Sequence, residues 1–327
     1  YRITQGHGQG AELLMNAEAA FMQGNFSDAQ ILLEQTYSTI ASNGQHNISL
    51  CCDFLAARLS FFQESVTFVK NPEVKRKELL SLHNMMWLNI FDSTYAYYYA
   101  LIRMPEKIPA LFKDHMLSTV SFLSPCRPMM EMIENQVFLS QKMYAKVIGR
   151  SETLLPFCEK MHYELVSLHV QIQTASAYAM LGKHHDARQL LQKALGHAMP
   201  DGFLIPFVEN YTYIKDVLGS INSITPEPFT DRILSLGSVY EQHCLRLSSR
   251  NSRPEILNML NSREAEIAAL ITDRLSNREI AERLFLSEGT VKQYVNQIYS
   301  KLMINGDTRT KRKQLAELIS SINKGLT

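Results

Sequence analysis

The chain has 327 residues, with 33 basic and 32 acidic side chains and an apolar content of 46%, which suggests two or three globular domains with buried cores. No stretch of about 18 uninterrupted apolar residues occurs, and the first ten residues lack the apolar core of a signal peptide, so we predict no membrane span. The five cysteines form no CxxC pair, which argues against a disulfide framework or a zinc ribbon.

Two segments in the first 200 residues share a helix-turn-helix repeat pattern. Residues 17–35 and 175–195 each have small residues, a turn that contains glycine, and an alanine five positions after that glycine. A weaker copy spans residues 132–155, with its turn near Gln141. Antiparallel helices approach closely where one presents Ala or Gly, and the Leu-rich second helix can then pack against the next pair. The pattern resembles tetratricopeptide repeats, although its spacing of about 40 residues exceeds the usual 34.

An aromatic cluster lies between the first and second copies of this pattern. Residues 95–101 have the sequence YAYYYAL, and Trp87 is nearby. The rings of Trp87, Tyr95, Tyr98 and Tyr99 are candidates for stacking on a sugar or another planar ligand. The alternative is that they pack between helices.

Prolines and polar stretches in the sequence predict where the domains end. Four prolines within residues 104–129 predict interrupted helices or a bend. Helical patterns follow over residues 198–218, and then in a short helix after a proline-rich break. The polar stretch LSSRNSRPE, residues 247–255, is the predicted linker. We therefore predict a helical-repeat sensor or interaction domain over residues 1–246, this linker, and a C-terminal domain over residues 256–327.

Charge is unevenly distributed along the chain. From residue 250 onward there are 13 basic and 9 acidic side chains, a net charge of +4, whereas the rest carries −3. A basic segment attached to a mildly acidic body is compatible with a small nucleic-acid module joined to a larger domain.

Three helix starts lie close together in the C-terminal domain. Asn261 with Glu264, and Ser276 with Glu279, have the spacing of capping boxes, and Ser287 can cap a third helix. The first two helices are predicted to bury apolar residues that face each other, with Leu286 pointing inward from the turn and a small alanine where helices cross. These residues are Ile267, Leu270 and Ile271 on the first helix and Ile280, Ala281 and Leu284 on the second. The arrangement predicts a helix-turn-helix.

The third helix, residues 287–302, has two contrasting faces. At 100° per residue its apolar side chains form one stripe, which comprises Val291, Val295, Ile298 and Leu302. The opposite face comprises Gly289, Gln293, Asn296 and Ser300, with Lys292 and Gln297 beside it. No carboxylate occurs between Glu288 and Asp307. Amides that can hydrogen-bond base edges, a cation for phosphate and the absence of acids are typical of a helix that enters the major groove.

This segment resembles the LuxR-type helix-turn-helix. The shared motifs are EIA at residues 279–281, the Ser287 cap, TVK at residues 290–292 and KL at residues 301–302. The resemblance implies that Lys292, Gln293 and Asn296 face bases and that Thr290 contacts phosphate. Val291 is predicted to pack inward, with a thymine methyl group as a further contact. The predicted DNA-binding residues are Ser287, Gly289, Thr290, Val291, Lys292, Gln293, Asn296, Gln297 and Lys301.

The segment also departs from the family pattern. Met303 stands where the family usually has glycine, and Tyr294 replaces a frequent histidine. The loop over residues 304–313 is longer than usual, and its basic side chains either contact phosphate or are solvated. Residues 311–319 form the last predicted helix. Its apolar side chains Leu315, Leu318 and Ile319 form either a dimer contact, as is usual in the family, or part of the domain's own core.

The repeats and the C-terminal reader together resemble the C-terminal half of large MalT-like ATP-dependent regulators. In that family the repeat domain binds an inducer or a regulatory protein, and a nucleotide-binding module precedes it. This chain contains no GxxxxGK[ST] motif. It is therefore either a piece of a longer protein, which the missing initial methionine favours, or a shorter relative.

We therefore predict an all-α protein, a TPR-like helical-repeat superhelix followed by a small LuxR-type domain. The predicted function is a cytoplasmic transcription regulator, an activator, that binds double-stranded DNA as a self-associated assembly and responds to a ligand or partner. The alternative is an interaction scaffold whose helix-turn-helix docks proteins. We expect no enzymatic activity, cofactor, metal site or membrane partner in this chain.

Overall fold

The structure is a computed structural model that describes residues 8–41, 45–63, 72–120, 122, 124–251, 260–304 and 306–324. Within these ranges the regular secondary structure is entirely helical, and no helix is both long and apolar enough to span a bilayer. The chain divides into two compact units between Leu245 and Arg246. Each unit is considered by itself.

The first unit consists of helices that pack mainly as antiparallel neighbours. In the described residues they are α1 (Ala11–Met22), α2 (Phe26–Ile40), α3 (His46–Leu59), α4 (Pro72–Ser81), α5 (Met85–Leu101), α6 (Ala110–Lys113), α7 (Arg127–Ser140), α8 (Tyr144–Met161), α9 (Glu164–Met180), α10 (His184–Ala198), α11 (Ile205–Glu209), α12 (Tyr211–Ile224) and most of α13 (Pro228–Asn251).

The predicted helix-turn-helix copies are confirmed as the pairs α1–α2, α7–α8 and α9–α10. Gly24 and Gly182 adopt left-handed backbone conformations in their turns, with φ of 78° and 75°, which glycine accepts at little cost. The alanines five positions later, Ala29 and Ala187, are fully buried. In the weaker copy Lys142 adopts the same conformation, with φ of 61°. The close approach that the small residues predicted is therefore present.

The first helices of successive pairs pack side by side in a row, and the last helix of this row contacts the first. α3 packs against α1 and α5, α7 against α5 and α9, and α11 contacts both α9 and α1. At the point of return the Leu204 amide donates a hydrogen bond to the Met22 carbonyl at 2.9 Å, and the Leu204 side chain lies beside Gly24. The end of the row is thus attached to its beginning.

A buried ionic network lies where this row closes. The Arg58 guanidinium pairs with Glu209 at 2.7 Å and with Glu18 at 2.6 Å, and the Tyr97 hydroxyl donates to Glu209 at 2.8 Å. The Arg58 guanidinium carbon also lies 4.8 Å from the centre of the Phe21 ring. Burial raises the pKa of Glu18, against the opposing charge of Arg58. The network joins α1, α3, α5 and α11.

The proline-rich stretch over residues 104–129 is interrupted as predicted. Short 3-10 turns occur at Pro105–Lys107, Leu117–Thr119 and Ser124–Cys126, and among the residues described between them the single helical turn α6 is the only α-helix. Proline removes a backbone donor and disfavours helix in the residue before it. The stretch therefore interrupts the chain between α5 and α7, which nevertheless pack against each other.

The prediction for the end of the first unit was partly wrong. The helix expected to be short is α13, which has 24 residues and continues to Asn251. The first five residues of the predicted linker are therefore helical, and residues 252–255 lie outside the described residues. Ser, Arg and Asn reduce helix stability only slightly. Proline at position 254 is the first residue in the stretch that opposes helix strongly.

Candidate nucleic-acid interface

Four helices follow the end of α13 in the described part of the second unit. They are α14 (Ser262–Thr272), α15 (Asn277–Leu284), α16 (Glu288–Lys301) and α17 (Thr308–Lys324). α14 packs against α16 and α17, and α15 packs against α16. The pair α15–α16 is the predicted helix-turn-helix.

The predicted caps are all present. The Asn261 side chain accepts the Glu264 amide at 2.9 Å, and Glu264 accepts the Asn261 amide at 2.7 Å. Ser276 and Glu279 form the same reciprocal pair, and the Ser276 amide that donates to Glu279 lowers the pKa of that carboxyl group. The Ser287 hydroxyl accepts the Thr290 amide at 3.1 Å and so begins α16. These side chains satisfy amides that have no partner within their own helices.

The turn between α15 and α16 is fixed by its backbone and by a side chain from α14. Phe285 adopts a left-handed conformation, with φ of 55°, and the Leu286 amide donates to the Ala281 carbonyl at 2.9 Å. The Arg263 guanidinium donates to the Leu284 carbonyl at 2.8 Å. The sequence pattern did not indicate this contact, because Arg263 is distant in sequence from the turn.

The predicted apolar stripe forms the core of the unit. Val291, Val295, Ile298 and Leu302 are buried together with the predicted residues of the two preceding helices. Those residues are Ile267, Leu270 and Ile271 on α14 and Ile280 and Ala281 on α15, with Leu284 and Leu286 partly buried against them. Because α16 has a long buried stripe, its opposite face is held outward.

That opposite face is polar and exposed, as predicted. Its exposed residues are Gly289, Lys292, Gln293, Asn296, Gln297 and Ser300. Between Glu288 and Asp307 the sequence has no carboxylate, so the face combines amides and a cation without an acid to repel phosphate. Such a face can hydrogen-bond base edges and pair with a phosphate.

Four of the predicted DNA-binding residues, Ser287 among them, have other contacts in the structure. Val291 has no exposed surface, so it packs inward as predicted, and its further contact with a thymine methyl group stays a prediction. The Thr290 hydroxyl lies 2.8 Å from the Ser287 hydroxyl. The Lys301 ammonium lies 2.7 Å from a carboxylate oxygen of Glu264. Nothing in the local sequence pattern identified that partner.

The last helix packs on its own unit. Leu315 and Ile319 are buried in the same core as the stripe of α16, and Leu318 is partly buried against it. Between the two alternatives for these side chains, the structure therefore favours a role in the domain's own core.

Several basic side chains near the start of α17 have partners within the unit. Arg312 donates to the Leu275 carbonyl, and to the Asn277 side chain at 3.0 Å. The Lys311 ammonium lies 5.8 Å from the centre of the Tyr299 ring. Arg312 therefore ties α17 to the turn that precedes α15, a contact that the sequence did not predict.

The predicted ligand-stacking aromatics pack mainly within the first unit. Tyr95 and Tyr98 are only 6% and 9% exposed, which favours the packing alternative, and their contact with a ligand stays a prediction. Tyr99 is partly buried and lies 6.2 Å from Tyr95 and 5.5 Å from Tyr98 between ring centres. The partly buried Trp87 donates to Asn47 at 2.6 Å and lies 4.6 Å from the ring of His46. These rings have the packing role that was the alternative.

Comparison with known proteins identifies the second unit. Residues 258–312 match the family described as bacterial regulatory proteins, luxR family. The transcriptional regulatory protein LnrK of Bacillus subtilis is 33% identical over 110 residues, which cover 33% of this chain and 49% of LnrK. The transcriptional regulatory protein DegU of Brevibacillus brevis is 45% identical over 53 residues, 16% of this chain and 22% of DegU.

A third relative is the DNA-binding transcriptional activator DevR/DosR of Mycobacterium tuberculosis, 35% identical over 57 residues, 17% of this chain and 26% of that protein. The chain thus spans less than half the length of these relatives. No solved structure matches it significantly. The capped helices, the buried stripe and the family match agree, and the chain carries a C-terminal helix-turn-helix domain of the luxR family.

Proposed function

We propose that this chain is a transcription regulator that binds double-stranded DNA through α16. The exposed, carboxylate-free face of that helix is the observation that carries the proposal. Lys292, Gln293 and Asn296 contact bases, and Gln297 and Gly289 lie at the edge of the groove. Ser287 and the first amides of α16 face a phosphate, which a helix N-terminus favours.

We further propose that the protein acts in the cytoplasm as an activator controlled through its first unit. A single short recognition helix contacts few base pairs, so useful specificity requires self-association on DNA. The buried alanines of the α1–α2 and α9–α10 pairs support a TPR-like repeat domain and, with the luxR-family domain, the MalT-like architecture. In such a protein the first unit binds an inducer or a regulatory protein.

The test begins with selection of genomic DNA fragments by the full chain, followed by fluorescence anisotropy titrations. We expect enrichment of one sequence, and an affinity that falls steeply with salt because phosphate contacts release counterions. Asn296→Ala is expected to weaken binding to that sequence by about 1–3 kcal/mol. Gln314→Ala is the control, because it removes an exposed amide from α17 and not from the recognition face.

The outcomes separate the two functional classes. Binding without any sequence preference, unaffected by Asn296→Ala, would contradict base recognition by α16. A chain that binds no DNA even at low salt would favour the alternative, in which the helix-turn-helix docks proteins.

A further inference from the structure

Lys301 and Glu264 form an ion pair between the end of α16 and the start of α14. The Lys301 ammonium lies 2.7 Å from Glu264 Oε2, and the Glu264 side chain is only 1% exposed while that of Lys301 is 40% exposed. A buried carboxylate that loses its cationic partner is strongly destabilising. The contact therefore constrains the two helices more than an exposed pair would.

The same carboxylate oxygen also caps α14. Glu264 Oε2 accepts the Asn261 amide at 2.7 Å, and the Glu264 amide donates to the Asn261 side chain at 2.9 Å. Burial acts to raise the pKa of Glu264, but the hydrogen bond and charge of Lys301 and the Asn261 amide outweigh it, so the pKa lies below its usual value. One ionised oxygen thus holds the first turn of α14 and the last residue of α16.

This contact fixes the end of α16 that lies opposite its cap. α16 has 14 residues and is therefore about 21 Å long. Ser287 holds its first turn, and Lys301 is its last residue. Gln293 and Asn296 lie between these two points, and base recognition by paired hydrogen bonds tolerates errors of only about 0.5 Å and 10–20°.

We infer that Lys301 and Glu264 are a positioning pair that sets the orientation of the recognition helix, and that Lys301 is not a phosphate contact. The inference rests on the proposed function, because it assigns the pair a role in DNA recognition. It replaces the sequence-based prediction that Lys301 binds DNA.

Glu264→Gln distinguishes the two roles by the sign of its effect. Glutamine at this position can still form the capping box, but it no longer pairs with the charge of Lys301. If Lys301 bound phosphate, the freed ammonium would leave DNA affinity unchanged or raise it. If the pair positions α16, affinity for the enriched sequence falls, by about fivefold or more.

The experiment measures the full chain by anisotropy on the enriched sequence and on unrelated DNA, each at several salt concentrations. We expect Glu264→Gln and Lys301→Met each to lower the ratio of specific to nonspecific affinity without changing the salt dependence. Loss of folded protein alone would lower both affinities by the same factor. Lys301→Arg can still pair with Glu264, so it is expected to keep the wild-type ratio of specific to nonspecific affinity.

The double variant Glu264→Gln/Lys301→Met should bind about as well as Glu264→Gln alone, since no unpaired buried charge remains. Lys292→Met is the matched control on the exposed face, and it should reduce the salt slope by about 1. The inference is overturned, while the proposed function stands, if the wild-type chain binds DNA but Lys301→Met has a reduced salt slope. The same holds if the wild-type chain binds DNA and Glu264→Gln does not weaken that binding. A wild-type chain that binds no DNA overturns both.

Discussion

Met303 shows how a single residue stores strain in the second unit. It follows the end of α16 in a left-handed conformation, with φ of 52°, and the Ile304 amide donates back to the Tyr299 carbonyl at 2.9 Å. This is the position at which helices usually end on glycine, because a Cβ is unfavourable there. Met303 is also 79% exposed, so its side chain gains little from packing.

We predict that Met303→Gly stabilises the second unit by about 0.5–1 kcal/mol, because glycine relieves this backbone conformation. Gln314→Gly is the control. It places glycine at an exposed interior position of α17 and should destabilise by a similar amount. Native-state hydrogen exchange of peptides from residues 260–304 measures both. Faster exchange in Met303→Gly would contradict the prediction.

A second prediction at the scale of single residues concerns the pKa of Glu264. It lies below its usual value in the folded chain because of Lys301 and Asn261, despite burial. Ionised Glu264 therefore stabilises the fold fully above its ordinary pKa, and this stabilisation is lost as pH falls through the lowered folded value.

Protection of α14 against hydrogen exchange, corrected for intrinsic rates, should accordingly decline as the pH falls below the ordinary pKa of glutamate and through the lowered pKa of Glu264. Glu264→Gln should reduce this decline. Glu266→Gln should leave it nearly unchanged, because Glu266 belongs to an exposed ion pair, and such pairs stabilise little. An identical decline in wild type and Glu264→Gln would show that another group is responsible.

At the scale of elements, two glycines in neighbouring helices have opposite roles. A Cβ built at Gly237 in α13 would overlap the ring of Tyr211 at the start of α12, whereas one at Gly219 in α12 would meet no atom within 4 Å. Gly237 therefore permits the close approach of α13 to α12. Gly219 only weakens its own helix.

We expect Gly237→Ala to destabilise the first unit by about 1–3 kcal/mol through overpacking. Gly219→Ala should stabilise it by about 0.5–1 kcal/mol, because alanine favours helix. Trp87, the single tryptophan, lies in the first unit, so its fluorescence during urea unfolding reports on that unit. Equal effects of the two substitutions would contradict the assigned roles.

At the scale of the whole first unit, Arg58 closes the row of helices. It binds Glu209, which is 151 residues away in sequence, and both side chains are buried. Such a pair is weak evidence for stability by itself, but removal of one partner leaves an uncompensated buried charge.

Arg58→Met should therefore destabilise the first unit by about 3–5 kcal/mol. Lys75→Met removes a more exposed pair with Glu78 and should change stability by less than about 1 kcal/mol. Urea unfolding followed by Trp87 fluorescence compares the two. A loss in Arg58→Met no larger than in the control would show that Glu209 is accommodated without its cation.

The sequence by itself determined the helical class, the turns at Gly24 and Gly182, the three caps of the second unit and the two faces of α16. These features depend on residues within one or two helical turns, where periodicity and capping act. It also listed Lys301 among the DNA-binding residues, left the tyrosines of α5 between ligand stacking and packing, and predicted that α13 is short. In each of these cases local chemistry permitted more than one environment.

Only the tertiary structure decided which environment each of those residues has. Lys301 pairs with Glu264 from 37 residues away, Arg263 reaches the turn after α15, and Arg58 meets Glu209. Tyr95 and Tyr98 are buried because other helices cover them. Such partners depend on how helices cross in space, and a charge or an aromatic ring has the same local pattern whether it is exposed or paired. The physical reason is that burial and pairing belong to the packed chain, whereas helix propensity and capping belong to its short segments.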